Sequence, residues 1–195
     1  YGSDLDIVFV YDGEEDALTG GPRVITNHEF FVKLGARIIS VLTLKTKDGS
    51  VFNIDTRLRP SGSSGPLVVS KAALLNYHRG KTTGGISPAV WERQSWLKAR
   101  PVAGDIAAGA EILTELDAII FNRPLTTEDA QELLRIRKRM ETEIAKEDRS
   151  RFNIKTGIGG MVDVEFLIQT LQLENFKDKT IRTPYTMKAL KRLMQ

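Results

Sequence analysis

The octapeptide Asp4-Leu5-Asp6-Ile7-Val8-Phe9-Val10-Tyr11 limits the choice of fold more than any other stretch of the chain. Two acids alternate with leucine and isoleucine, and the run then becomes continuously apolar and β-branched, the mark of a strand buried on both faces. Carboxylates at i and i+2 of a strand point to the same side, with α-carbons roughly 7 Å apart. They repel one another there and stay ionised together only with a cation between them. Hard divalent magnesium suits that position, because it prefers oxygen ligands and sits beside phosphates.

Asp12 and Gly13 end this strand, and an acidic, glycine-rich turn follows through Pro22. Thr26 and Glu29 have capping-box spacing and open a helix that is expected to run to about Leu44. Lys47-Asp48-Gly49 reads as a turn into a second strand over residues 51–59. That strand alternates, with Phe52, Ile54 and Leu58 on one face and Asn53, Asp55, Arg57 and Arg59 on the other. Asp55 is then a third carboxylate that a sheet neighbour would bring beside Asp4 and Asp6. Three carboxylates from two strands can hold two metal ions about 3.5–4 Å apart, one activating an attacking hydroxyl and one gripping a triphosphate. Arg57 and Arg59 would either clamp phosphate oxygens or pair with the neighbouring carboxylates and hold them in place. Gly2 and Ser3 would offer backbone N–H groups and a hydroxyl to the β and γ phosphates, unless they form a simple tight turn. In the plainest alternative, Asp4 and Asp6 cap a strand end and Asp55 is a solvated surface residue. The Gly-Ser before the acids, the apolar run after them and the later acid on an alternating strand weigh against it.

The stretch Pro60-Ser61-Gly62-Ser63-Ser64-Gly65-Pro66 is a loop, and beyond Leu67 the pattern turns helical. Helices are expected at about 71–79, 89–99, 105–121, 127–147, 161–173 and 184–194. Leu133, Ile136, Met140 and Ile144 recur at helical spacing and predict a face over a core. The organisation read from this pattern is a small α/β unit over residues 1–102 followed by a helical unit over 103–195. Residues 155–160 form a glycine-rich loop feeding a helix, whose exposed N–H groups and dipole favour anions. The plainer reading is a cap in which Asp163 and Glu165 ease the first turn. Trp91 and Trp96 read as core in preference to a base-stacking platform. Arg93, Lys98 and Arg100 are either a basic rim or a solvated face. His28 and His78 lack ligand-like spacing.

Composition excludes several classes. The 195 residues are 41% hydrophobic and 27% charged, an ordinary globular mix. The absence of cysteine excludes a disulfide framework and a thiolate zinc site, and it suits a reducing cytoplasm. A net charge of +3 does not ask for nucleic acid, and no apolar run is long enough for a membrane helix. A start at Tyr1, directly before a dense motif, suggests a piece of a longer protein.

Gly2-Ser3-Asp4-Leu5-Asp6 with a later strand aspartate resembles the metal-binding signature of the polymerase beta nucleotidyltransferases. The continuation is narrower. Asp55-Thr56-Arg57-Leu58-Arg59-Pro60-Ser61-Gly62, followed by Ser64-Gly65-Pro66-Leu67-Val68, resembles the glutamine synthetase adenylyltransferases. So do Trp91-Glu92-Arg93 with Lys98-Ala99-Arg100, and Lys155-x-Gly157-x-Gly159-Gly160-x-x-Asp163-x-Glu165-Phe166. The resemblance implies an α+β fold, with a polymerase-beta-like small mixed sheet and flanking helices followed by a helical-bundle domain. It implies magnesium-dependent transfer of AMP from ATP to a tyrosine of glutamine synthetase. Asp4, Asp6 and Asp55 would be catalytic and would bind two magnesium ions, while Gly2, Ser3, Arg57, Arg59, Lys155 and Glu165 would bind the nucleotide. Glutamine synthetase and a PII-type signal protein are the implied partners, with no nucleic acid and no membrane.

The family's polypeptide holds two such units, one transferring AMP and one removing it by phosphorolysis to give ADP. The Asp163-Val164-Glu165-Phe166 and Arg182-Thr183-Pro184-Tyr185-Thr186 segments resemble the transferring unit. Gly65-Pro66-Leu67-Val68 and Lys98-Ala99-Arg100-Pro101-Val102 look more like the removing one. Transfer is the favoured expectation. The family also carries a glycine-rich strand and helix upstream of the acidic motif, and Tyr1 starts after them. A non-catalytic module binding glutamine synthetase or a PII-type protein is the alternative of another class, and the three retained aspartates argue against it.

Overall fold

A computed structural model of the chain describes residues 4–45, 47, 49, 52–82, 88–148 and 150–195. Gly2, Ser3, Asp48 and Val51 lie outside the described residues, so neither the phosphate-binding expectation at the first two nor the whole turn and strand start at the others can be placed. The chain divides into two compact units, Tyr1–Pro88 and Ala89–Gln195.

In the first unit the acidic run forms two short strands, β1 (Leu5–Asp6) and β2 (Phe9–Tyr11), where one continuous strand is expected. They are followed by α1 (Asn27–Leu42), β3 (Ile54–Asp55), β4 (Val68–Ser70) and α2 (Lys71–His78). The break coincides with a change of partner. β1 pairs in parallel with β3, whereas β2 pairs in parallel with β4, from Phe9 against Val68 to Tyr11 against Ser70. Among the described residues both ladders are parallel, and antiparallel pairing is confined to two isolated bridges, Leu18 with Thr26 in this unit and Asp148 with Arg151 in the other.

Burial on both faces is also corrected. Leu5 and Asp6 are exposed, and full burial begins only at Tyr11, because α1 and α2 pack over the β2–β4 ladder. Gly35 permits the close approach of α1, since a Cβ there would sit 2.8 Å from Val68 Cγ2. Phe31 stacks on Tyr11 with ring centroids 4.6 Å apart. Thr26 caps α1 by accepting from Glu29 N at 3.1 Å, while the Glu29 carboxylate takes Lys33 Nζ at 2.6 Å. Ser70 both caps α2 and donates to Glu15 Oε1 at 2.7 Å, tying the acidic turn to the ladder.

His78 ends α2 against Tyr77, and burial pushes its pKa down to about 4. The unfolded chain takes up that proton near the ordinary value of about 6.5, whereas the folded protein does not, so stability falls as pH drops through this window. The contribution lost between pH 7 and pH 4.5 is about 2–3 kcal/mol. Urea unfolding at the two pH values should show that much less loss in His78→Gln than in the parent chain.

The second unit is helical: α3 (Val90–Ser95) with a 3-10 turn over Trp96–Lys98, α4 (Ile106–Ile120), α5 (Thr127–Arg139), α6 (Met161–Glu174) and α7 (Thr186–Leu193). Asp105 caps α4 by accepting from Ala107 N and Ala108 N, and Thr126 forms a complete capping box with Asp129. Leu116, Ile168, Leu173 and Ile181 are the largest fully buried side chains there. The helix expected to reach residue 147 is α-helical only to Arg139 and continues as a π-helical turn over Met140–Ala145, ended by left-handed Lys146. A π-turn adds a residue per turn and shifts the buried face. Ile144 is therefore 59% exposed, Ala145 is buried, and Arg137 occupies an interior position beside Leu133.

The compact units divide at Pro88–Ala89, which places α3 with the helices that follow it. Arg93 makes that attachment. Its guanidinium is buried and donates to Ile120 O at 2.6 Å, to Pro124 O at 3.4 Å and to Arg123 O, which fastens α3 to the end of α4. Burial lowers its pKa to about 10, still well above neutrality. Arg93 is thus an interior residue, not part of a basic rim. No helix among the described residues is long and apolar enough to cross a membrane.

Candidate active site

The β1–β3 ladder sets Asp6 directly opposite Asp55, with Leu5 N donating to Asn53 O and Ile7 N to Asp55 O, both at 2.8 Å. Register partners in a ladder share a face, and Asp4, two residues before Asp6, falls on the same side. The two-strand arrangement read from sequence therefore exists at the level of register.

The side chains add a fourth participant. Arg57 N donates to Asp55 Oδ1 at 2.8 Å, Arg57 Nε lies 3.0 and 2.8 Å from Oδ1 and Oδ2, and Nη2 reaches Oδ2 at 2.5 Å. The guanidinium holds the Asp55 carboxyl below the usual carboxylate range, and in return Asp55, with Asp4 and Asp6 behind it, raises Arg57. Among the described residues no three acidic or histidine side chains close around one point to enclose a metal ion. The donor set suits a hard divalent cation in kind, with carboxylate oxygens and no softer ligand. In this conformer the Asp55 oxygens are turned to Arg57.

Arg59 behaves differently from its neighbour. Its side chain is buried, with Nη1 donating to Thr56 O at 2.7 Å and Thr56 Oγ1 at 2.9 Å, and Nε donating to Gly65 O at 3.2 Å. Its hydrogen bonds fasten Thr56 and the loop that follows, and its charge adds a smaller share to the lowering of Asp55. That loop turns through left-handed Ser61 and Gly62, and a Cβ on Gly65 would lie 2.1 Å from Pro60 O. The small residues of Pro60-Ser61-Gly62-Ser63-Ser64-Gly65 are what this path requires.

The glycine-rich loop before α6 is internally satisfied. Met161 N donates to Ile154 O and Val162 N to Lys155 O at 3.0 Å each, Asp163 N donates to Gly160 O at 3.1 Å, and Gly159 N donates to Asp163 Oδ2 at 2.6 Å. The N–H groups expected to face an anion thus have acceptors within the chain, as in the cap reading of Asp163. Asp163 is held in turn by Arg137, whose Nε lies 2.6 Å from Oδ1 while Nη1 and Nη2 donate to Thr156 O and Gly157 O at 3.0 and 2.8 Å. Sequence reasoning missed Arg137. Its signal was a cation four residues after buried Leu133, within an apolar helical spacing.

Glu165 is ion-paired with Lys98 Nζ at 3.2 Å, and Lys98 also donates to Thr186 Oγ1 at 2.6 Å, joining the turn after α3 to α6 and α7. Arg100 is exposed. Both tryptophans are partly covered, and Trp96 lines a cavity of about 130 Å³ with Phe121, Asp117 and Arg182.

Residues 1–115 match the family model described as Glutamate-ammonia ligase adenylyltransferase, and residues 135–195 match that of the GlnD PII-uridylyltransferase. Bifunctional glutamine synthetase adenylyltransferase/adenylyl-removing enzymes are among the chain's relatives. That of Thioalkalivibrio sulfidiphilus is 44% identical over 173 residues, 87% of this chain and 17% of that protein. That of Pseudomonas syringae pv. tomato is 43% identical over 88% of this chain and 16% of its own length. That of Chromobacterium violaceum is 37% identical over 98% of this chain and 20% of its own length. The chain belongs to the glutamate-ammonia ligase adenylyltransferase family. It spans about a fifth or less of these relatives' length.

Proposed function

We propose that this chain transfers AMP from ATP to a tyrosine of glutamine synthetase, as one catalytic unit of a longer adenylyltransferase with a polymerase-beta-like catalytic domain (residues 1–102) and a helical domain (residues 103–195). The observation that carries the reading is the parallel register of Asp6 with Asp55, with Asp4 on the same side, in a chain of this family. Asp4, Asp6 and Asp55 would hold magnesium, which when bound neutralises phosphate charge and lowers the pKa of a coordinated hydroxyl. The protein's own share is to orient the α-phosphorus for in-line attack by the tyrosine hydroxyl and to neutralise the departing pyrophosphate. Arg57 is the side chain available for that neutralisation, since Arg59 is committed to its loop. Gly2, Ser3, Lys155 and Glu165 enter as nucleotide ligands through the family resemblance.

The relatives' names cover both addition and removal of the adenylyl group, which supports phosphorolysis as the second reading. The match of residues 135–195 to a PII-uridylyltransferase model supports a PII-type protein as a second partner. The test is incubation with magnesium, ATP labelled at the α-phosphate and unmodified glutamine synthetase. Label on tyrosine is the expected result. ADP released from adenylylated glutamine synthetase and phosphate would instead establish removal, and binding with neither reaction would establish a regulatory module.

A further inference from the structure

We propose that Arg57 is an exchanging counter-ion, which occupies Asp55 until a divalent cation takes the carboxylate and then turns to the nucleotide's phosphates. The inference rests on the magnesium reading of the site and adds to it a competition and an order. Arg57 engages both Asp55 oxygens through Nε and Nη2, so a cation bound by Asp55 needs oxygens that the guanidinium now holds. Asp55 is only 14% exposed, which leaves little other approach to its carboxylate.

Arg57 is built to leave. Its side chain is 75% exposed, and ion pairs with one partner so exposed are weak, being hydrated and screened. Its backbone stays in place, because Arg57 N bonds Asp55 Oδ1 independently of the guanidinium. Arg59, two residues on, shows the opposite design, with its side chain buried among loop carbonyls. Of the two arginines in the Arg57-Leu58-Arg59 motif, only Arg57 is free to move between partners. A planar guanidinium released beside a triphosphate is well matched to it, since its fork binds phosphate oxygens in pairs.

The exchange predicts changes of opposite sign in two binding constants. Manganese serves as the probe, titrated into the chain without nucleotide and followed by the electron paramagnetic resonance of the free ion. Arg57→Ala and Arg57→Gln should each bind manganese about fivefold more tightly than the parent, the release of one modest ion pair. The same variants should bind magnesium-ATP about tenfold more weakly by calorimetry, the loss of a charge-assisted phosphate contact. Arg57→Lys keeps the charge without the fork and should fall between. Manganese affinity that is unchanged or weaker in both neutral variants would overturn the exchange, and a purely structural Arg57 would give that result with a lowered melting temperature. A parent chain that binds no manganese would sink the magnesium reading itself, an outcome separate from the first.

Discussion

Asp6→Asn is expected to lower the proposed AMP transfer to glutamine synthetase by about 10²–10³-fold while leaving the melting temperature nearly unchanged. The two effects separate because Asp6 is exposed and contributes to the ladder through its backbone, which asparagine preserves. Asparagine keeps the size of the side chain and one oxygen but removes the charge. That charge lies opposite Asp55, where two carboxylates together make a site for a divalent cation and one alone makes a poor one. Incorporation of label from α-phosphate-labelled ATP, with thermal unfolding of the same samples, reads both quantities. A loss of less than tenfold, with folding intact, would mean that the acidic register is a structural coincidence.

Arg137→Met is expected to destabilise the second unit by about 2–3 kcal/mol, the cost of depriving a buried loop carbonyl of its donor, with a smaller share from Asp163, whose side chain is 34% exposed. Arg137 is only 4% exposed, and it ties three elements of different origin together: α5, the loop carbonyls of Thr156 and Gly157, and Asp163 in the first turn of α6. Methionine fills similar space but removes the arginine donor from Thr156 O, leaves Gly157 O with Gly160 N alone, and deprives Asp163 of the cation that holds its carboxyl low. Urea unfolding gives the magnitude, and amide exchange should show the loosening concentrated at residues 154–163. A cost below about 1 kcal/mol would show that Glu147, accepting from Asn153 N at 2.8 Å, and Asn153 Oδ1, accepting from Lys155 N and Thr156 N at 3.1 and 3.0 Å, suffice to hold the loop.

Helix starts were legible from short-range chemistry, because Thr26, Asp105 and Thr126 cap through bonds to residues two or three ahead. The carboxylates of the candidate site were legible for a similar reason: alternation along each strand decides their side, and only the pairing of the strands had to be supplied. What the sequence did not carry was the fate of the arginines. Arg59, Arg93 and Arg137 each end among main-chain carbonyls of a loop, in contacts that exist only once that loop has folded. A residue-type reading puts such side chains at the surface or on a ligand. The same limit applies to Glu165, whose partner Lys98 is 67 residues away. The break between β1 and β2 was hidden because an apolar run looks the same whether its neighbour continues or changes.

Among the described residues two pairs, Leu5 with Ile54 and Asp6 with Asp55, make up the ladder on which the acidic site stands. So short a zipper of main-chain bonds, with Leu5 39% exposed, belongs to the low-stability end of a native structure, where opening and closing precede global unfolding. Occupancy of the carboxylates would therefore double as a clasp. Metal and nucleotide would slow amide exchange at Leu5 and Ile7 well before they moved the melting point of the buried β2–β4 layer. Observed affinities would then include the cost of drawing that clasp shut.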